Sequence, residues 1–172
     1  KQIRFDRVMG DAFGWLLKEH FVGTPSTVLI KKSVMDKVGG FDPRYLYTQD
    51  YDYFLKCAHE ADYVLQSKTL VFKRTHESNV SNNLVSLYTE QIVMLKMIWQ
   101  RFEQYIESHG FKRILKQTLS DTYYRLGNAC YESRKKDRAF AAFFQGMASD
   151  PSFKNSMHFG KVAGRKLIRL LF

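Results

Sequence analysis

The chain has 172 residues, of which 45% are hydrophobic and 15% aromatic, so it can bury a core and is not disordered by composition. Its formal net charge of +10 predicts attraction to anions, a class that includes nucleic acid, anionic lipid and phosphorylated substrates. The two cysteines, Cys57 and Cys130, lie inside apolar patterns, which argues against a disulfide scaffold and against a cysteine metal site. No apolar run approaches the ~20 residues that span a bilayer.

Residues 1–20 form an amphipathic lead-in, with Phe13, Leu16 and Leu17 on one face. The first residue is Lys1 rather than an initiator methionine, and "KQIRFDRVMGD" does not have the pattern of a signal peptide. We therefore expect this sequence to be a piece of a longer protein.

The segment from about Phe21 to Ser81 has mixed strand and helix signals. The apolar, β-branched run "TPSTVLI" predicts a strand. Ser33 is placed to cap a short helix over residues 34–38, with Asp36 as its capping-box partner, and Gly39-Gly40 ends that helix.

A second helix is predicted to start after its N-cap, Thr48, and to run to about Glu60. Its apolar positions follow helical spacing at Tyr51, Phe54, Leu55 and Ala58. The runs "DYVLQS" and "TLVFKR" then predict two strands, which are joined by a turn near Ser67-Lys68.

Asp50 and Asp52 spell D-Y-D, which raises the question of a metal-binding pair. A helix advances about 100° per residue, so the two carboxylates should point about 200° apart and cannot hold one ion. Asp50 lies in the first turn, where the helix dipole favours a carboxylate, and Asp52 should face water or a neighbouring loop. The alternative is that both are acids at the start of a helix with no chemical role.

Four short motifs follow one another in this segment: a basic pair after the first strand, a "GGFD" loop, a Gln-Asp pair at the head of the second helix, and an "R-x-H" element before serines. They are Lys31-Lys32, Gly39–Asp42, Gln49-Asp50, and Arg74–His76 with Ser78 and Ser81. Their order resembles the second half of the GT-A domain in glycosyltransferase family 2, the inverting enzymes that use nucleotide-diphosphate sugars. The resemblance covers about Phe21 to Ser81.

The resemblance implies that Asp50 is the catalytic base, which takes the proton of an acceptor hydroxyl as that oxygen attacks the anomeric carbon. It implies that His76 contacts the diphosphate or a divalent metal, Mn²⁺ or Mg²⁺, although a surface histidine is an equal alternative. Arg74 would help to neutralise the leaving diphosphate. The other substrate-binding positions that the resemblance implies are Phe41, Asp42 and Gln49.

Two features depart from the family pattern. Gln49 occupies a position where the family usually has Glu or Asp, and an amide supplies no charge. The nucleotide-binding half, with its metal-binding D-x-D, cannot be held in residues 1–20. We therefore expect the chain by itself to be inactive and to bind no metal.

From Asn83 onward there is no strand signal, so the expected architecture is a partial GT-A-like α/β portion over residues 1–82 and a helical extension over residues 83–172. The chain should then be predominantly helical overall. One long helix ending at Gly110 is predicted from an apolar face. That face consists of Leu84, Leu87, Tyr88, Ile92, Leu95, Trp99, Phe102 and Ile106.

Residues 120–151 resemble a single tetratricopeptide repeat, a pair of packed helices. Leu126-Gly127 would let the helices approach closely, and Asp150-Pro151 would end the pair. The second helix would meet the first at Ala139, Phe143 and Gly146. Such a pair can form a peptide-binding groove, but we favour a hairpin that covers an edge of the catalytic domain, because stacked repeats usually need three or more units.

The last segment, "FGKVAGRKLIRLLF", is basic and amphipathic, which is typical of a helix on an anionic membrane surface or of one packed on the helical extension.

The expected partners are a nucleotide-sugar donor, a hydroxyl acceptor that is lipid-linked, an anionic membrane and a second copy of the chain paired through bare sheet edges. The expected location is cytoplasmic, at the inner face of the membrane. Lys and Arg are spread along the chain without a nucleic-acid motif, so no specific nucleic acid is expected. The competing function is a non-catalytic helical interaction module.

Overall fold

The computed structural model describes residues 8–22, 24–65, 69, 71–72 and 83–151. The chain divides into two compact units, Lys1–Val80 and Ser81–Phe172. The described parts of both units are mainly helical, which confirms the expectation of a predominantly helical chain. Within these parts no helix is both long enough and apolar enough to cross a bilayer.

The first unit contains two short strands and three α-helices in its described residues. The strands β1 and β2 pair antiparallel, with Val8 opposite Val64. In chain order the elements are β1 Val8–Met9, α1 Ala12–Lys18, a 3₁₀ turn Pro25–Thr27, α2 Lys32–Val38, α3 Gln49–Glu60 and β2 Tyr63–Val64.

The core of the first unit lies between α1 and α3. Asp11 is the N-cap of helix α1, and its Oδ1 accepts a hydrogen bond from the Gly14 amide at 3.3 Å. Phe13, Leu16 and Leu17 are fully buried, as the amphipathic pattern predicts. In α3 every residue from 51 to 58 is buried, so this helix is enclosed on all sides rather than on one stripe.

The strand predicted from "TPSTVLI" is not formed. Residues 25–27 form a 3₁₀ turn instead, in which the Thr24 carbonyl accepts hydrogen bonds from the amide of Thr27 and, at 2.7 Å, from its hydroxyl. Residues 28–30 follow without strand pairing, and Leu29 is fully exposed. Proline and hydroxyl turn chemistry therefore outweighs the strand preference of these β-branched residues.

Helix α2 starts earlier than predicted, and Ser33 is not its cap. The N-cap is Lys31, and Asp36 pairs with Lys32 at 2.7 Å instead of closing a capping box. The predicted end is confirmed, because Gly39 has a φ of 82° and its amide donates to the Met35 carbonyl at 2.8 Å.

The predicted bounds of α3 are confirmed, although its N-cap Thr48 makes no side-chain capping hydrogen bond. Of the strand predicted in "DYVLQS", the described residues 62–65 contain Tyr63–Val64. In "TLVFKR", residues 69, 71 and 72 lie outside any strand. The rest of that run and the predicted turn near Ser67-Lys68 fall outside the described residues.

The second unit consists of α4 Leu84–Arg101, α5 Glu103–Ser108, α6 Lys112–Glu132 and α7 Lys136–Ser149 in its described part. The predicted single helix to Gly110 is therefore wrong, since it is interrupted at Phe102, which has φ −117° and ψ 27°. Leu84 is 42% exposed, so the buried face begins later than expected. The buried side chains of α4 are Ile92, Met94, Leu95 and Ile98.

Helices α6 and α7 form an antiparallel hairpin with a close contact at Gly127. A Cβ at this position would lie 2.5 Å from Cε1 of Phe143, whose side chain is fully buried. The Ser120 hydroxyl donates to the Gly146 carbonyl at 2.9 Å, which joins the two helices a second time. The predicted close approach at Gly127, Phe143 and Gly146 is thus confirmed.

We expect Gly127→Ala to destabilise the second unit by about 1–2 kcal/mol, because overpacking against the Phe143 ring outweighs the gain in helix propensity. Urea unfolding followed through Trp99 fluorescence would measure this change. Arg125→Ala, an exposed position on the same helix, is the control. Adding Phe143→Leu should restore part of the loss, and strictly additive effects of the two substitutions would contradict the contact.

Candidate functional site

Asp50 lies in the first turn of α3 and is half-buried. Its Oδ1 accepts a hydrogen bond from the Tyr51 amide at 2.8 Å, so the carboxylate is held at the end of the helix where unpaired amides and the helix dipole favour negative charge. This is the place that the sequence predicts for it.

Tyr51 fixes the head of α3 to the end of α1. Its hydroxyl donates to the Leu16 carbonyl at 2.7 Å, and its side chain is only 3% exposed. Burial raises the pKa of this hydroxyl far above its ordinary value, so the group remains a neutral donor. The carboxylate of the preceding residue is therefore carried on a fixed backbone.

His20 completes this site, and sequence analysis missed it. Its ring stacks on Tyr51, with centroids 4.4 Å apart and planes 8° apart, and the Phe54 ring lies 6.4 Å away. The Nε2 atom of His20 is buried without a hydrogen-bond partner. Burial lowers the pKa of the imidazole, while the negative charge of Asp50 opposes that shift.

Asp52 does not face water or a loop, as its sequence position suggested. It is 3% exposed, and Lys56, one turn further along α3, donates to its Oδ2 from Nζ. The expectation fails because α3 has no wet face, so a charge in its middle must be paired. Asp50 and Asp52 thus lie in different surroundings, and the described residues contain no cluster of three His, Cys, Asp or Glu that could hold a metal.

The "GGFD" loop is organised by Asp42. Its carboxylate accepts hydrogen bonds from the Arg44 amide at 3.0 Å and from the guanidinium of the same residue, as close as 2.7 Å. These bonds hold the pKa of Asp42 well below its usual range. Phe41 is 49% exposed, and its ring lies 4.7 Å from that of Tyr53, so the loop rests on α3.

The structure describes four of the predicted site residues and leaves two undescribed. Asp50 lies next to Tyr51, on which the His20 ring stacks, whereas Phe41 and Asp42 contact Tyr53 and Arg44. Gln49 is exposed at the first position of α3. The remaining predicted residues, Arg74 and His76, fall outside the part of the chain that the structure describes.

No sequence signal connects His20 with Asp50, because a single histidine after a short helix has no spacing relation to a helix that begins much later. Comparison with known proteins adds no assignment: no protein-family model matches the chain, and neither a curated protein nor a solved structure is significantly similar to it.

We expect the two aspartates to differ in their effect on stability. Asp52→Asn should lower the free energy of unfolding by about 3–5 kcal/mol, because it leaves Lys56 charged and buried. Asp50→Asn should cost less than about 1 kcal/mol, since an amide oxygen still accepts from the Tyr51 amide and only the helix-dipole interaction is lost. Urea unfolding of each variant makes the comparison, and equal losses would contradict it.

We expect His20→Phe to remove part of the pH dependence of stability in the first unit. Because the pKa of His20 is lowered on folding, the unfolded chain gains a proton first as the pH falls below about 6.5, and stability then declines until the folded imidazole also titrates. Above that window His20 contributes a constant amount.

The measurement is urea unfolding from pH 8 to pH 5, followed through Trp15 in a Trp99→Phe background, so that only the first unit is observed. The stability of the His20→Phe protein should fall less between pH 7 and pH 5 than that of its parent. Parallel curves for the two proteins would show that His20 does not titrate as described.

Proposed function

We propose that this chain carries the acceptor-side part of an inverting, family 2-like glycosyltransferase, which moves a sugar from a nucleotide-diphosphate donor to a hydroxyl acceptor in cell-surface polysaccharide or glycolipid synthesis. The observation that carries the proposal is the position of Asp50: a half-exposed carboxylate at the head of an otherwise buried helix. It stands where the order of motifs from Lys31 to Asp50 requires a base.

Contrast with Asp52 supports the choice of Asp50. A catalytic base must be reached by the proton that it takes, and it must have a free lone pair. Asp52 is buried and forms an ion pair with Lys56, so its carboxylate is not accessible to a substrate proton. Asp50 is accessible, and the Tyr51–Leu16 hydrogen bond holds its backbone in place.

The proposed reaction is a single displacement. The acceptor hydroxyl gives its proton to Asp50 while its oxygen forms a bond to the anomeric carbon of the sugar. The bond from that carbon to the diphosphate oxygen breaks, and the nucleoside diphosphate leaves with the electron pair. One displacement inverts the configuration, and Arg74 is proposed to offset the charge on the leaving group.

The preformed "GGFD" loop supports an acceptor-side role. Asp42 and Arg44 pair with one another at the turn, so these contacts lie within the loop itself. Phe41 presents an aromatic surface that is 49% exposed, and such faces pack well against the apolar faces of sugar rings. We propose that this loop contacts the acceptor.

A divalent metal, Mn²⁺ or Mg²⁺, belongs to the proposal only through His76. The described residues do not form a metal-binding group, and Asp50 and Asp52 lie in separate environments. When bound, such an ion would neutralise the donor diphosphate. No step assigned to Asp50 depends on it.

The GT-A assignment itself remains part of this proposal. The described strands of the first unit are a single two-residue pair, β1 with β2, rather than a sheet of the GT-A type. What supports the assignment is the order of helices and loops: α2 ended by Gly39, the ordered "GGFD" loop, and α3 beginning at Gln49.

A second function is favoured by one feature of the helical unit. Helix α7 presents three apolar side chains to solvent at helical spacing, and these are Phe140, Phe144 and Met147, exposed by 45%, 66% and 46%. An exposed apolar face of this kind is typical of a protein-interaction module. Peptide capture by the helical unit alone, with no loss when Asp50 is changed to Asn, would favour this second function.

We expect Asp50→Asn to lower kcat about 10²–10⁴-fold in an intact enzyme that includes this chain, because an amide cannot accept the acceptor's proton. KM for the donor should change little, since the substitution keeps the size and shape of the side chain. Release of nucleoside diphosphate from a panel of nucleotide sugars, with membrane extract as the source of acceptor, measures the rate.

The matched control is Asp36→Asn, which neutralises an exposed carboxylate on α2 that pairs only across the surface with Lys32. Circular dichroism should show that both variants keep their helices. Full turnover by Asp50→Asn, or an equal loss in the Asp36→Asn control, would rule out Asp50 as the base.

A further inference from the structure

Helix α7 has two apolar faces, and α6 covers one of them. The covered face consists of Ala139, Ala142, Phe143 and Gly146. The second face, which lies beside the first, is exposed and consists of Phe140, Phe144 and Met147. A helix that is apolar around much of its circumference is normally enclosed by neighbours on more than one side. The second face of α7 is therefore expected to have an occupant.

The segment that directly follows α7 has a matching apolar stripe. Residues 152–172 fall outside the described part of the structure, and the pattern lies in their sequence. On a helix with 3.6 residues per turn, apolar and small residues recur on one face at alternating spacings of four and three. They are Phe153, Met157, Gly160, Gly164, Leu167 and Leu171. Two basic residues, Arg165 and Arg169, lie away from this face. Such a helix gains most of its stability by packing its apolar face against another surface.

The short connection between the two segments sets how they would align. Helix α7 ends at Ser149, and only Asp150 and Pro151 separate it from the stripe-bearing segment. A helix that turns back at this point runs antiparallel to α7, and each residue then returns 1.5 Å along the axis that α7 has advanced. The resulting pairs are Met147 with Met157, Phe144 with Gly160, and Phe140 with Gly164.

These pairs are complementary in size. Each exposed phenylalanine of α7 meets a glycine, and the distance between packed helices depends on the size of the side chains at the contact. The hairpin of α6 and α7 already uses this kind of contact, because a Cβ on Gly127 would lie 2.5 Å from the Phe143 ring. The second face of α7 therefore offers the same type of contact to the segment that follows it.

We propose that residues 152–172 form a helix that docks antiparallel on the exposed face of α7, with the Phe140 and Phe144 rings against its two glycines. This inference is independent of the catalytic role proposed for Asp50. The two-residue connection holds the segment near α7 at an effective concentration on the order of millimolar, so a separate peptide or a membrane has to displace it. Docking buries the apolar stripe and leaves the basic side chains of the segment in water.

Disulfide cross-linking in the full 172-residue chain tests the contact. The test protein carries Met147→Cys with Met157→Cys, and the matched control carries Met147→Cys with Asn155→Cys. Asn155 is two residues from Met157 but about 200° around the helix, so an undocked segment brings either cysteine to α7 equally often. The native Cys57 and Cys130 are buried.

Mild oxidation followed by peptide mass spectrometry gives the initial rate of cross-linking. We expect the test pair to form an intramolecular disulfide about tenfold faster than the control pair, at a rate that does not depend on protein concentration, because only the docked geometry brings its Cα atoms within disulfide range. Equal rates for the two pairs would overturn the proposal.

A size swap tests the alignment. Adding Gly160→Leu to the test protein should slow cross-linking to the rate of the control pair, since the new side chain occupies the place of the Phe144 ring. Adding Phe144→Ala as well should restore the rate, whereas Arg165→Leu by itself should leave it unchanged. Full-rate cross-linking in the Gly160→Leu protein, or no recovery on adding Phe144→Ala, would contradict the proposed alignment.

The same experiments separate the other possible occupants of the face. Cross-links that join two chains and increase with protein concentration would show that a second copy covers α7. Equal rates for the two pairs, together with sedimentation of the protein with phosphatidylserine vesicles, would show that the segment binds an anionic membrane instead. Either result would overturn the proposal.

Discussion

Burial of α3 around its whole circumference is the constraint on which the first unit depends. Because residues 51–58 are all inaccessible, each polar group among them needs a partner inside the protein. Tyr51 finds one in the Leu16 carbonyl, and Asp52 finds one in Lys56. The accessible positions of the helix are Gln49 and Asp50 at its head and His59 and Glu60 at its end. The same packing that stabilises the unit therefore leaves only the two ends of α3 accessible to another molecule.

The head of this helix combines an anchored backbone with an accessible carboxylate. The Tyr51 hydroxyl and the stacked His20 ring attach the first turn to the end of α1 and the segment after it, while Asp50 keeps a half-exposed carboxylate. A base on a rigid element can be aimed at a substrate without loss of ordering entropy when the substrate binds. The nearby loop is ordered in the same way, by Asp42 and Arg44, so the elements proposed to meet an acceptor are organised in advance.

The helical unit follows a different packing rule. Its hairpin depends on the absence of a side chain at Gly127, which lets the Phe143 ring enter the space between α6 and α7. Such close packing makes the hairpin a stiff element, and it leaves Phe140 and Phe144 on the outer face of α7. A rigid helix pair with an exposed apolar face suits the role of a cover or a docking element, as the sequence pattern of this region also suggests.

Local chemistry made parts of this structure predictable from the sequence. Gly39 ends α2 because only glycine readily adopts its positive φ. The bounds of α3 follow from helical spacing. The glycine at position 127 indicates a close contact between helices. The candidate base Asp50 was found in the same way, from its place in a motif. The apolar run after Thr24 predicted a strand wrongly. The Thr27 hydroxyl and Pro25 stabilise a turn within three residues, whereas a strand forms only if a neighbouring strand pairs with it.

The sequence alone thus determined which segments are helical, where several of them stop, and which aspartate begins α3. Tertiary structure decided that residues 51–58 of α3 are buried, Asp52 among them, and that the His20 ring stacks on Tyr51. The physical reason is the distance along the chain over which the interactions act. Periodicity, caps and turns depend on residues within one or two helical turns of each other, so they can be read from the sequence. Burial of a whole helix and contact between distant side chains depend on how separate elements pack, which no local pattern records.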